Sequence, residues 1–245
     1  MQQYFIAEEA KINDLILMND NQSHHIKTVM RMKEDQLIRI VDVKQNVFLA
    51  QIKYEQNNVY ALLKELLVDD SSNKVKIILA QALIKKDKWD FLLQKCSELG
   101  VDEIIPFECK RCVVKSKDEK MSKKKQRWNT ILMEACEQCK RSSIVELHDI
   151  VDFKALKDIQ ADLKIIAYED ASASSEHLKD VLKAHPNAKT ICVVVGCEGG
   201  FELQEVEYLM EYGFKRVSLG NRILRAETAA MALVNTVSFY YELIS

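Results

Sequence analysis

Two short stretches near the C-terminal end hold residue types that could build a ligand site. Gly196-Cys197-Glu198-Gly199-Gly200 follows the apolar run Val193-Val194-Val195. Glycines at such a turn let backbone amides and carbonyls approach a ligand with no Cβ in the way. Ligands of parallel α/β sheets sit at the carboxyl ends of strands, which makes this turn a candidate binding loop. Taken alone, the pattern is also that of a plain tight turn, and its spacing is neither the dinucleotide fingerprint G-x-G-x-x-G nor the phosphate loop G-x-x-x-x-G-K-[ST]. The second stretch runs from Gly220 through Asn221-Arg222-Ile223-Leu224-Arg225-Ala226-Glu227-Thr228-Ala229 and sets two arginines and a glutamate around an apolar pair. Ile-Leu between arginines suits a loop that wraps an adenine with apolar atoms and offers its backbone for hydrogen bonds. Glu227 would serve equally well to complement the dipole of a helix N-terminus.

Three other groupings carry possible chemistry. The cysteines number seven, and an odd count argues against a closed disulfide framework. Cys109-x-x-Cys112 and Cys136-x-x-Cys139 have the pair spacing of structural zinc sites. Cys136 and Cys139 fall inside the helical-looking run RWNTILMEACEQCKR, and no knuckle glycine stands near either pair. Buried reduced thiols and no metal are the expectation. Between Lys110 and Arg127 stand nine Lys or Arg against two acids, in a chain whose net charge is -2. Such a stripe can hold phosphate without making the whole protein basic, or it can be a solvated loop. His24 and His25 have no acidic or cysteine partner at ligand spacing and read as surface residues.

The elements that must position these residues fall into two styles. QLIRIVDV, NVFLAQIKY and NNVYALLKELLV are β-type runs broken by polar turns. Asp69 to Lys74 is the expected boundary, so residues 1–72 read as a small β-barrel-like domain and 73–245 as a larger one. Beyond it strands and helices alternate: VKIILAQAL, EIIPF, IVELH, LKIIAYE, TICVVVG and FKRVSLG, with KWDFLLQKCSEL, KKKQRWNTILMEACEQCKR, SEHLKDVLKA and LQEVEYLMEY between them. Asp87 is the expected cap of the first helix, and Gly100 follows its last turn. Continuous apolar strands such as CVVV indicate a parallel sheet covered on both faces, an α/β architecture. ETAAMALVNTVSFYYELI closes the chain as a helix apolar almost all round, which suggests burial or an oligomer interface. Hydrophobic residues make up 48% and charged residues 29% of the 245, ordinary for a globular protein. No apolar stretch approaches the roughly 20 residues a membrane helix needs. The first residues lack the pattern of a signal peptide, and a cytoplasmic protein is expected.

The string GCEGGF…VSLGNRILRAETA closely resembles the signature of the 16S rRNA uridine-N3 methyltransferases, within the SPOUT class of knotted methyltransferases. HHIKTVMRMKEDQLIRIVD resembles the family's N-terminal domain, and ALIKKDKWDFLLQKCSELGVDEIIPFECKRCVV and RWNTILMEACEQCKR its central segments. Two departures stand out. The family's first loop usually has proline where this chain has Cys197, and a proline usual soon after Arg141 is missing from SSIVELHD. Loss of the first leaves the loop less rigid, because proline fixes φ.

The resemblance implies a parallel-sheet methyltransferase domain closed by a trefoil knot, an exception to the usual absence of knots. It also implies an N-terminal PUA-like or OB-like barrel that helps to hold RNA, a homodimer and S-adenosylmethionine as cofactor. By family position, cofactor contacts come from three loops: Tyr168 and Glu169; Gly196, Glu198, Gly199 and Gly200; and Leu219, Gly220, Asn221, Ile223, Leu224, Thr228 and Ala229. Uridine N3 is a weakly acidic imide nitrogen, so the enzyme must extrude the base, help remove a proton and stabilise the anion that develops. Arg222 and Arg225 are the candidates for that stabilisation, with Glu198 or Glu227 as proton acceptor or orienter. Lys27 and Arg31 in the first domain and Lys85, Arg111, Lys115 and Arg141 in the second are the candidate RNA contacts. Rival readings are a related enzyme acting on transfer RNA or on a ribose 2′-oxygen, and a catalytically silent RNA-binding assembly factor.

Overall fold

A computed structural model describes residues 1–69, 73–115, 121–168 and 176–244. The chain divides into two compact units: Met1–Ser72 with Cys136–Ser143, and Asn73–Ala135 with Ile144–Ser245.

The first unit is built on β1 (Gln3–Phe5), β2 (Leu15–Leu17), the short helix α1 (Asp20–His24), β3 (Leu37–Val41), β4 (Val47–Glu55) and β5 (Asn58–Leu67). Its described strands form one five-stranded sheet in the order β1-β3-β4-β5-β2. Buried and open positions alternate along β4 and β5, as expected where one face meets a core and the other meets water. Ile38, Ile40, Phe48, Ala50, Ile52, Val59 and Leu63 supply that core. Asn19 caps α1 through a reciprocal bond pair with Gln22. His25 is half-buried and bonds Tyr4 Oη at 2.9 Å through Nδ1, so it holds the core of this unit and is not free on the surface.

The second unit carries β6 (Lys76–Ala82), α2 (Lys86–Glu98), β7 (Glu103–Glu108), α3 (Met121–Cys139), β8 (Glu146–Leu147), β9 (Val151–Asp152), β10 (Leu163–Ala167), β11 (Glu176–His177), α4 (Leu178–Ala184), β12 (Thr190–Val195), α5 (Leu203–Glu211), β13 (Lys215–Ser218) and α6 (Ala226–Phe239). The C-terminal turn of α3 lies in the segment that groups with the first unit. The described strands form an eight-stranded sheet ordered β11-β13-β10-β12-β6-β7-β8, with β9 also on β7, and every pairing is parallel. β6 and β12, side by side at its centre, are buried along nearly their whole length. Trp89, Leu92, Leu93, Cys96 and Ser97 line one face of α2, which packs on α6. Asp87 does not cap α2: the cap is Lys85, without a side-chain bond, and Asp87 lies in the first turn, where its charge favours the dipole. Gly100 does follow the helix, at φ +98°. In α6 the buried face is matched by an open one that includes Thr228, Asn235, Thr236 and Phe239, so the helix is less enclosed than its composition suggests.

Candidate active site

A cavity of about 470 Å³ opens at the carboxyl ends of β10, β12 and β13, three neighbouring parallel strands. That volume falls in the range of small-molecule sites. Val195 and Val217 form part of its apolar floor, and the turns after the strands form its rim.

The turn after β12 is tightly constrained. Gly196 carries no side chain because a Cβ there would meet the Phe201 ring at 3.2 Å. Phe201 is itself buried and lies parallel to Phe107, with centroids 6.2 Å apart. The buried Gln81 at the end of β6 donates from Nε2 to the Gly196 carbonyl at 3.1 Å. Gly199 is held against Arg111: a Cβ would touch Arg111 Cβ at 3.0 Å, and Arg111 Nη1 donates to the Gly199 carbonyl at 3.1 Å. Gly200 takes φ +67°, a left-handed conformation that favours glycine. Glu202 then caps α5, in a reciprocal pair with Glu205.

Of the residues expected on the cofactor loops, Tyr168, Gly196, Glu198, Gly199, Gly200, Leu219, Ile223, Leu224 and Ala229 line the cavity. Gly220, Asn221 and Thr228 are outside its lining, and Thr228 faces solvent from α6. Glu169 lies outside the described residues. The two arginines separate: both are exposed, but Arg225, the N-cap residue of α6, lines the cavity and Arg222 does not. Ile223 lines it too, yet is 89% exposed.

Lys88 joins the two carboxylates and was not anticipated. Its Nζ, on the first turn of α2, stands 3.7 Å from Glu198 and 3.8 Å from Glu227, and it lines the cavity. Glu198 also accepts the Lys85 backbone N–H at 3.2 Å. Glu227 is 9% exposed, and its Oε2 has no hydrogen-bond partner, leaving Lys88 as its nearby countercharge. The run Lys85-Lys86-Asp87-Lys88 was the only sequence signal for this arrangement, and it does not say which lysine turns inward.

The candidate RNA contacts are differently disposed. Lys27, Arg31, Lys85, Arg111 and Lys115 are exposed. The Lys27 ammonium donates to the Asn57 carbonyl and stands 5.8 Å from the Tyr54 ring. Lys115 pairs with Glu108 at 3.7 Å. Arg111 turns to the cofactor-type loop and lines the cavity, a position that its place in a basic run did not reveal. Arg141 corrects the expectation: at 8% exposure it lies in the interior, and its carbonyl accepts from Gln3 Nε2 at 2.7 Å.

The cysteine groupings also change. Cys109 and Cys112 meet Cys197, with Cys109 Sγ 3.4 Å from Cys112 Sγ and 3.6 Å from Cys197 Sγ. S–H donation from Cys109 and Cys112 outweighs burial and draws the Cys197 thiol well below the ordinary range.

Comparison with known proteins places this geometry. Residues 71–238 match the family described as the RNA methyltransferase domain, and residues 19–61 the RNA methyltransferase PUA domain. Ribosomal RNA small subunit methyltransferase E of Bacillus subtilis is 32% identical, with 100% of this chain and 98% of that protein aligned. The protein of the same name from Mesomycoplasma hyopneumoniae is 32% identical over 94% of this chain and 96% of its own. Among solved structures, the ribosomal RNA small subunit methyltransferase E of Neisseria gonorrhoeae, bound to S-adenosyl methionine, superposes with a TM-score of 0.88 at 29% identity, covering 98% of each chain. The chain belongs to the RNA methyltransferase family, alongside the ribosomal RNA small subunit methyltransferases E.

Proposed function

We propose that this protein transfers a methyl group from S-adenosylmethionine to N3 of a specific uridine in 16S rRNA. The observation that carries the reading is the cavity at the carboxyl ends of β10, β12 and β13, in a chain related end to end to ribosomal RNA small subunit methyltransferases E. The relative from Neisseria gonorrhoeae holds S-adenosyl methionine, and the residues here fit that group. Leu219, Leu224 and Ala229 offer apolar flanks to an adenine, and Gly196 to Gly200 offer backbone groups with little side-chain bulk. At Gly200 a Cβ would meet nothing within 4 Å, which is open space beside the cavity. Glu198 and Lys88 add opposite charges that suit a zwitterionic ligand. When bound, S-adenosylmethionine supplies a sulfonium methyl that is a ready electrophile.

The chain's own groups then supply position and charge. Arg225, on the rim, faces the space where uracil carbonyls gain negative charge as the N3 proton leaves, and stabilises that charge. Arg222, exposed beside it, contributes from the solvent side. Glu198 is the acceptor or orienter of that proton, because its carboxylate lines the cavity. Glu227 is buried and acts through Lys88, which ties it to Glu198.

Residues 1–72 form the RNA-binding domain in this proposal and 73–245 the methyltransferase domain. Lys27 and Arg31 in the first, and Lys85, Arg111 and Lys115 in the second, contact phosphate. The trefoil knot, the homodimer and the cytoplasmic location belong to the same reading. In support of the knot, α6 follows the outlying β13 yet packs on the central β6 and β12. In support of the dimer, Ile223, Phe239 and Leu243 are 89%, 50% and 72% exposed. No helix among the described residues is long and apolar enough to cross a membrane.

The test is methyl transfer from labelled S-adenosylmethionine to small ribosomal subunits lacking the modification, followed by nucleoside analysis. The expected product is 3-methyluridine at a single position. A different methylated nucleoside would overturn the specificity, and failure to bind cofactor would favour a silent RNA-binding protein.

A further inference from the structure

Around the loop after β12 stand three thiols to which the proposed methyl transfer assigns no step, although Cys197 itself lines the cavity. Cys109 and Cys112 follow from the end of β7, Cys197 follows β12, and all three are buried. Besides the contacts of 3.4 and 3.6 Å from Cys109, all three sulfurs lie within 4.8 Å of one another. A tetrahedral ion with metal–sulfur bonds of about 2.3 Å sets its sulfurs roughly 3.8 Å apart, close to the spacing already present. We propose that Cys109, Cys112 and Cys197 form a three-sulfur binding site for a single thiophilic cation, either copper(I) or zinc(II) with a solvent molecule from the cavity side as its fourth ligand.

The site is prepared by its backbone as well as by its sulfurs. The Cys109 N–H donates to Cys112 Sγ at 3.4 Å, and the Cys112 N–H to the Cys109 carbonyl at 3.1 Å, closing the C-x-x-C turn around one point. N–H donation to sulfur favours thiolate character and orients a metal ligand. The two residues inside the turn pin it from both sides. Lys110 donates its backbone N–H to Glu205 at 2.9 Å, and Arg111 reaches the Gly199 carbonyl. Thiolate-only ligation selects zinc and copper(I) over harder ions. Each thiol gives its proton to solvent as its sulfur–metal bond forms, and no electrons are exchanged. The other C-x-x-C pair, Cys136 and Cys139, stands in the segment that groups with the first unit and takes no part. A bound ion ties the cavity loop to the end of β7 and restrains the backbone at residue 197, which has no proline ring to do so. This inference stands independently of the methyl-transfer reading.

The experiment uses the full chain, reduced and stripped by chelation, loaded in separate arms with zinc(II) and with copper(I). One ion per chain is expected in at least one arm, and the arm that loads identifies the ion. X-ray absorption on the loaded wild-type protein should show three sulfur ligands, zinc–sulfur distances being about 2.3 Å. Cys109→Ser, Cys112→Ser and Cys197→Ser should each weaken binding on the order of 100-fold or more, since even outer-sphere losses cost 10–100-fold. Cys139→Ser should bind as the wild type does. No stoichiometric ion in either arm would overturn the site. A wild-type sulfur count other than three would do the same whether or not the variants fold, as would undiminished binding in Cys109→Ser and Cys197→Ser.

Discussion

At the scale of single residues, the site turns on how charges are shared. Lys88 stands between Glu198 and Glu227, so neither carboxylate is left without a countercharge in a partly dry cavity. A buried carboxylate that lost its partner would be costly, which explains why a lysine on the first turn of α2 faces inward. The arginines divide the work unequally, because only Arg225 lines the cavity. Arg225→Ala should therefore lower kcat/KM for methyl transfer by about 100-fold, the usual cost of one donor to a developing anion. Arg222→Ala should lose about fivefold at most, since a solvent-exposed charge contact is worth about 0–1 kcal/mol. Steady-state methyl transfer measures both, and full activity in the two variants would remove arginine from the mechanism.

At the scale of elements, turns hold the strands in register and present the cavity loops. Gly200 sits at φ +67°, and a Cβ there would meet nothing within 4 Å, so substitution is opposed by backbone conformation alone. Gly200→Ala should cost about 1–2 kcal/mol, and Gly200→Asn less, because Asn tolerates the left-handed region. Thermal melts would register the loss, and calorimetric titration with S-adenosylmethionine should show weaker binding in the same order. In the first unit, the turn between β3 and β4 is organised by the buried Asp42. Its carboxylate accepts the N–H groups of Lys44 at 2.9 Å, Asn46 at 2.8 Å and Ala10 at 3.4 Å, together with Asn46 Nδ2 at 3.0 Å. Burial pushes the Asp42 carboxyl up, but these bonds outweigh it and hold the group below its ordinary range. The folded pKa is thus below the unfolded one. Asp42 contributes its full stability above the unfolded value, about 3.9, and loses it as pH falls through the folded one. Asp42→Ala should destabilise the unit by about 1–3 kcal/mol at neutral pH. The gap to wild type in denaturant melts should narrow as pH drops below about 4. A gap that stayed constant with pH would show that the carboxylate charge is not what holds this turn.

At the scale of the whole molecule, surface composition sets the partners. A dimer built on the exposed apolar residues of the C-terminal segment predicts that Leu243→Asp combined with Phe239→Asp gives a monomer in sedimentation velocity. A wild-type chain that sediments as a monomer at micromolar concentration would refute the dimer itself. Phosphate contacts through Lys27, Arg31, Lys85, Arg111 and Lys115 release counterions. RNA affinity should therefore fall steeply with salt, by roughly 0.7–0.9 log units per contact for each tenfold rise. A flat dependence would dispose of this set.

Much of this was legible in the residues themselves. Continuous apolar runs such as Cys192 to Val195 marked strands buried on both faces, because a covered sheet imposes that pattern locally, and the β-type run from Asn46 to Tyr54 marked a strand whose alternating burial the folded sheet then supplied. The loop from Leu219 to Ala229 was visible through Arg-Ile-Leu-Arg, whereas Gly196–Gly200, which taken alone is also the pattern of a plain tight turn, gained weight only beside it. Long-range packing decided the rest. Lys88 rather than Lys85 faces the carboxylates, Arg111 turns to Gly199, and Arg141 is withdrawn from the surface. Cys112 meets Cys109 through a local turn, but Cys197 joins them only because β7 and β12 flank β6 in the same sheet. Local pattern determines which face of an element is wet or dry. Which residues of distant elements meet on the dry side depends on strand order, and strand order is a property of the folded sheet.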